Sequence, residues 1–184
     1  MVRPQLGRGS KATYIPELDA VAPHQIGLAV IGIAGDVVTA GDADVPFSLQ
    51  SLTKVPALRH ALNIGGDEIW ERVGKEPSGA AFNNLAQLEL EKGFPRNPFI
   101  NSGAIAVTDY LLTRLGRDPA DAIRAVLSFA AGGCDATVDE AVAQSEVAHA
   151  FTNRAIANML YLHGTIRNDP EVVLRAYCRQ CAIR

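Results

Sequence analysis

One β-hairpin, followed by nothing that reads as another strand, constrains this chain more than any other feature. Residues 25–34, from Gln25 to Ala34, predict a strand, Gly35-Asp36 a turn, and Val37 to Ala40 a second strand. A two-stranded hairpin is marginal on its own, and its apolar residues need a wider sheet or a helix to cover them. From Gln50 onward the apolar spacing is helical instead. The expectation is therefore an α/β (α+β) chain: a helical part plus an N-terminal β-hairpin, with part of the fold missing. On this reading residues 1–184 form a single, incomplete domain.

The helical signals are specific enough to place. Residues 11–20 read as a short helix interrupted by Pro16. Residues 51–64 read as a helix stopped by Gly65-Gly66, and residues 67–73 as a short amphipathic one. Residues 74–79 form a polar turn-rich loop, and residues 98–115 a strongly apolar helix ended by Gly116. Asp118-Pro119 opens a helix reaching Ala131, where Gly132-Gly133 breaks it. Residues 139–163 make one or two helices closed by Gly164, and Asn168-Asp169-Pro170 caps a last helix through Cys181.

Composition excludes several classes. Hydrophobic residues are 48% and charged residues 20%, which suits a globular chain rather than a disordered one. The formal charge of −3 comes with no basic stripe, so nucleic acid is not the expected partner. The longest apolar run, residues 26–34, is strand-sized, and the first residues lack the apolar core of a signal peptide, so no membrane partner and a cytoplasmic location are expected. Cys134, Cys178 and Cys181 are an odd set without a disulfide framework. Cys178-Arg179-Gln180-Cys181 has no second pair to complete a zinc site, and reads as two ordinary helix cysteines before a redox or metal site.

The chemistry lies in Gln50-Ser51-Leu52-Thr53-Lys54. If a helix begins near Ser51, then Ser51 and Lys54 share a face one turn apart. A serine is a poor nucleophile until a base takes its proton, and a lysine in a dry pocket can lose its charge and act as that base. Ser-x-x-Lys is a signature of acyl-transferring serine enzymes of the penicillin-recognising kind, although in isolation an N-cap serine beside a solvated lysine gives the same string. Pro56 disfavours helical dihedrals at Val55 and kinks this helix unless it falls in the first turn. Other patterns are weaker. Glu146 and His149 form a single E-x-x-H where a di-iron bundle needs two, and Gly7 to Lys11 lacks the phosphate-loop spacing.

Several longer segments then agree together. Tyr14-Ile15-Pro16, the run from Gly41 to Lys54, Val73-Gly74-Lys75-Glu76-Pro77-Ser78-Gly79 and the run Asn97 to Ile105 resemble the serine-dependent glutaminase family. Ser145-Glu146, Asn153 and Tyr177 continue the match in order. The resemblance implies a fold like that of β-lactamases and penicillin-binding proteins. It also implies hydrolysis of L-glutamine to L-glutamate and ammonia through an acyl-serine intermediate, with no metal or cofactor, by a homo-oligomer (dimer or tetramer). It assigns the nucleophile to Ser51 and the general base to Lys54, and substrate contacts to Tyr14, Ser51, Asn101, Glu146, Asn153 and Tyr177. Glu146 suits the α-ammonium of glutamine through a charge-assisted bond, while Asn101, Asn153 and a tyrosine suit its carboxylate. Glu146 and Asn153, seven apart, would share one helix face.

The family continues past this segment into strands carrying a Lys-Ser-Gly-type motif, a further tyrosine and one oxyanion-hole N–H, the other coming from Ser51. No Lys-Ser-Gly occurs in residues 1–184. The competing expectations are a catalytically inactive truncated fragment acting only in binding or assembly, and a different acyl-serine enzyme such as a β-lactam-binding hydrolase.

Overall fold

The structure, a computed structural model, describes residues 3–184, the side chain of Arg3 excepted. It separates into two compact units, residues 1–47 and 48–184. In the first unit, β1 (Gly27–Ile31) pairs antiparallel with β2 (Val37–Gly41), Ala29 standing opposite Thr39. The turn between them is closed by Gly32 and Asp36, the Gly32 N–H donating to the Asp36 carbonyl at 2.8 Å. Every residue of both strands is exposed.

The expected helix over residues 11–20 shrinks to α1 (Pro16–Asp19). Proline is tolerated where a helix starts, because its missing N–H is unpaired there anyway, but it forces the preceding residue out of the helical region. Ile15 is accordingly extended, at φ −122° and ψ 113°.

The second unit is built of helices around α4 (Asn101–Leu115). The run Ser102 to Leu111 is buried throughout, so this helix is covered on all sides. On one side α4 packs with α7 (Phe151–Leu162) and α8 (Pro170–Cys181) around Ile105, Leu160, Leu174 and Cys178. On another it packs with α2 (Lys54–Gly65) and α5 (Ala120–Ala130) around Ala61, Val107, Leu111 and Ile123. Gly116 ends α4 in the left-handed conformation, φ 63°, as its position after the last periodic residue predicts.

Asp109 stands on α4 with no exposed surface and forms a buried hub. It accepts from Arg72 Nη1 at 2.8 Å, from the Asn168 side-chain amide at 2.8 Å and from the Asn168 backbone N–H at 2.9 Å. The buried carboxylate is therefore both paired and hydrogen-bonded, which is what keeps a buried charge from being ruinous.

Three sequence expectations are corrected in this unit. The segment Gln50–Thr53 is 3₁₀, and α2 proper begins only at Lys54. The short amphipathic helix expected over residues 67–73 is a 3₁₀ helix over Gly66–Glu71. Residues 139–163 are two helices, α6 (Glu140–His149) and α7, separated at Ala150, so Glu146 and Asn153 stand on different helices rather than on one face. Helix α3 (Leu85–Leu90) has no counterpart among the sequence expectations. Its signal was present: Asn84 caps it, accepting from the Gln87 N–H, with Gln87 at the third helical position. Pro56 falls in the first turn of α2, where a proline leaves the helix intact.

Candidate active site

The two segments with the longest motifs meet in the second unit. Gly74 N–H donates to the Pro95 carbonyl at 2.8 Å, Glu76 N–H to the Arg96 carbonyl at 2.9 Å, and Asn97 Nδ2 to the Glu76 carbonyl at 2.8 Å. Asn97 Oδ1 in turn accepts from the N–H groups of Phe99 and Ile100, folding that stretch tightly over the start of α4. Gly103 is required by this closeness, since a Cβ there would collide with the Asn97 carbonyl. The result is a Phe99 carbonyl held in place at the head of α4.

That carbonyl meets Lys54. Lys54 Nζ lies 2.9 Å from Phe99 O and 2.8 Å from Asn101 Oδ1, with the Phe82 ring centroid at 5.6 Å. The residue is only 3% exposed. Burial pushes the Lys54 amine below its ordinary range, opposed by the nearby Cys181 and Glu146. A neutral amine has two N–H groups, and two acceptors are in place for them. Its lone pair is then left over for a third group.

Ser51 sits in the 3₁₀ turn, three residues before Lys54, with its side chain exposed. Lys54 begins α2 directly after this 3₁₀ segment, so the two residues are one turn apart along the chain. Gln50, just before Ser51, is in the left-handed region at φ 48°. Its side-chain amide donates to Ser48 Oγ at 3.0 Å and to Glu146 Oε2 at 3.4 Å.

Glu146 on α6 is 6% exposed, and burial raises its carboxyl to about 7, with Gln50, the Cys181 thiol and Lys54 pulling the other way. Tyr177 on α8 is 2% exposed, and burial holds its phenol well above the usual range. The Cys181 thiol interacts with both the Tyr177 hydroxyl and the Glu146 carboxylate. Asn101, first residue of α4, bridges outward: its Nδ2 donates to Asn153 Oδ1 on α7 at 3.0 Å. Asn101 is thus already engaged on both atoms of its amide.

Lys54, Asn101, Asn153, Glu146 and Tyr177 are therefore joined through hydrogen bonds and near charges, and Ser51 precedes Lys54 by one turn. Tyr14 belongs to the first unit, ahead of α1, and is 61% exposed. Sequence reasoning missed Gln50 and Cys181. Only the position of Gln50 beside the serine marked it, and Cys181 was visible only as half of a C-x-x-C. Both cysteines of that motif are buried in α8 and unpaired, and burial pushes their thiols upward, away from the reactive thiolate. A separate hollow of about 390 Å³, lined among others by Trp70, Lys75, Pro77 and Phe99, holds none of the expected site residues. Among the described residues no three His, Cys, Asp or Glu side chains gather as a metal centre would need, and no helix is long and apolar enough to cross a membrane.

The Glutaminase family model matches residues 9–184. The chain belongs to the glutaminase family. A glutaminase of Caulobacter vibrioides (strain NA1000 / CB15N) is 55% identical over 183 residues, covering 100% of this chain and 59% of that protein. A glutaminase of Rhodopseudomonas palustris (strain ATCC BAA-98 / CGA009) is 52% identical, covering 96% of this chain and 57% of its own length. This chain thus spans about 59% of the length of such family members. Among solved structures, the probable glutaminase ybaS superposes with a TM-score of 0.88 at 33% identity, over 99% of this chain and 60% of that one. The glutamate form of the protein Mglu gives a TM-score of 0.86 at 35% identity, over 95% and 40%. The expected fold is the fold of these glutaminase structures, over the part this chain spans.

Proposed function

We propose that this chain carries the nucleophile-bearing part of an amidohydrolase that converts L-glutamine to L-glutamate and ammonia. One observation carries the mechanism: a buried Lys54, its amine pushed below the ordinary range by burial and held by two acceptors, one turn from an exposed Ser51. Ser51 Oγ attacks the side-chain amide carbon of glutamine, and Lys54 takes the hydroxyl proton. Lys54 returns that proton to the leaving nitrogen, so the C–N bond breaks with ammonia as product. Water then attacks the acyl carbon, giving a proton to Lys54, which passes it to Ser51 Oγ as the acyl C–O bond breaks and glutamate leaves. Glu146 pairs with the α-ammonium, which makes an amide lacking that group a poor fit, because a buried carboxylate would be left alone. Asn153 and Tyr177 complete the grip on the amino-acid end, while Asn101 holds Lys54 as well. That Mglu has been solved in a glutamate form supports a product of this class.

The test is ammonia release from glutamine by the protein and by Ser51→Ala. The alanine variant should fold normally, since Ser51 is exposed, and should lose turnover by several orders of magnitude. Turnover retained in Ser51→Ala removes Ser51 from the mechanism.

A second reading, that residues 1–184 by themselves serve only in binding or assembly, is favoured by one observation: every residue of both hairpin strands is exposed. Absence of ammonia release from residues 1–184 alone, with glutamine still bound, is the outcome that selects it. The family resemblance also carries a β-lactamase-like fold and a cytoplasmic homo-oligomer. Exposed apolar side chains such as Phe129, Phe151 and Leu162 are surfaces an oligomer would cover, and sedimentation of the protein tests that.

A further inference from the structure

Gln50 is held in a conformation that a residue with a Cβ avoids, at φ 48°, immediately before the proposed nucleophile. Such a residue persists only where its surroundings over-determine it. Here the end of α8 does so. Leu49 N–H donates to the Ile183 carbonyl at 2.8 Å, and Ser48 Oγ to the Cys181 carbonyl at 2.9 Å. Those bonds hold the residues before Gln50. Its own carbonyl is held by Thr53, whose Oγ1 donates to Gln50 O at 2.8 Å.

Thr53 has no exposed surface, and neither has Gln180 of α8, which faces it. Gln180 Nε2 donates to Thr53 Oγ1 at 3.4 Å. A hydroxyl has one proton, so an amide donor on the Thr53 oxygen leaves that proton for Gln50 O. On its other side Gln180 Oε1 is within reach of the Thr108 hydroxyl of α4 at 3.5 Å, a hydroxyl that also reaches Ala104 O at 2.9 Å. A turn beside a nucleophile is thereby tied to the core by a buried polar relay.

We propose that Thr53 and Gln180 are positioning residues, a relay from α8 that locks Gln50 in the left-handed conformation and so aims Ser51. The kinetic half of this inference rests on the glutaminase reading; the conformational half does not. Thr53→Val keeps the shape and removes the proton, and Thr53→Ser restores it. In Thr53→Val, kcat for ammonia release should fall roughly 10- to 100-fold while KM for glutamine stays within about twofold, the size of effect a displaced reacting group produces. Thr53→Ser should recover most of the loss. A merely structural role lowers the melting temperature of both variants without this split between kcat and KM.

Crystal structures of the same variants read the turn directly. Gln50 should leave the left-handed region in Thr53→Val and keep it in Thr53→Ser. Gln50 remaining at positive φ in Thr53→Val overturns the relay. Gln50 shifting with kcat unchanged in an active protein overturns the aiming of Ser51. Should Thr53→Val not fold, Gln180→Met removes the amide at similar volume and is read by the same two criteria. A parent protein without ammonia release counts against the glutaminase reading alone, because the crystal comparison still decides the relay.

Discussion

Glu146→Gln should make the protein more stable and a worse binder of glutamine at the same pH. The carboxyl of Glu146 is raised from 4.5 to about 7 by burial. In the folded chain it keeps its proton across that interval, while in the unfolded chain it releases it near 4.5. The folded state therefore binds more protons there, and stability falls as pH rises from about 4.5, the loss being complete above about 7. At 1.36 kcal/mol per pH unit the gap corresponds to about 3 kcal/mol. Glutamine at this position has the size of the protonated acid and no charge to desolvate. At pH 8 the variant should gain up to about 3 kcal/mol over its parent, and below pH 4.5 the two should converge. Urea unfolding at several pH values reads this. Binding moves the other way: loss of the ammonium's partner should cost roughly 2–5 kcal/mol at pH 8. In the parent, glutamine affinity should weaken about tenfold per pH unit below 7, because the proton must leave before the ammonium can pair. Titration calorimetry in two buffers of different ionisation enthalpy counts that proton without requiring turnover. A variant less stable than its parent at pH 8, or one that binds glutamine equally well, refutes the reasoning.

Lys54→Met should abolish ammonia release and be at least as stable as the parent at pH 7. A buried amine pushed below its ordinary range binds fewer protons folded than unfolded, so it destabilises at neutral pH and less so as pH rises towards 10.5; thermal melts beside the activity assay check both halves. Asp109→Ala should cost about 3 kcal/mol, measured by denaturant, because it strands the partly buried Arg72 and the amides of Arg167 and Asn168. Asn101→Ala should leave glutamine binding weaker and Lys54 less well held, seen as a fall in both kcat and kcat/KM, with KM alone rising if Asn101 serves the substrate only.

The helices with chemical punctuation were legible in the sequence. Asp169-Pro170, Asp139 and Gly116 mark ends that the structure confirms, because capping is a short-range property of a few side chains. The break at Ala150 carries no glycine or proline, so nothing local announced it, and the shared face of Glu146 and Asn153 was lost with it. The 3₁₀ segment that carries Ser51 escaped for a related reason. It is held by the end of α8, more than a hundred residues away in sequence, through Cys181 and Ile183. In the site itself the residue types were legible. Their states were not: the burial that moves Lys54 and Glu146 is a property of α4, α6 and α8 packed together, and no window of sequence contains it.

That burial acts on the two groups in opposite directions and for one purpose. It pushes the Lys54 amine below its ordinary range and raises the Glu146 carboxyl to about 7. The Glu146 carboxylate, where ionised, keeps the Lys54 amine more basic than burial alone would leave it. In the proposed reaction an arriving α-ammonium on Glu146 would cancel that influence. Lys54 would then lose, in that reaction, part of what favours its protonated form when a substrate with the matching charge pairs with Glu146. On the glutaminase reading the base is readied by the same group that recognises the substrate, and an amide lacking the ammonium would find both Glu146 unpaired and Lys54 more fully charged. Selectivity and catalysis would share one electrostatic cause, the exclusion of water from Lys54 and Glu146 together.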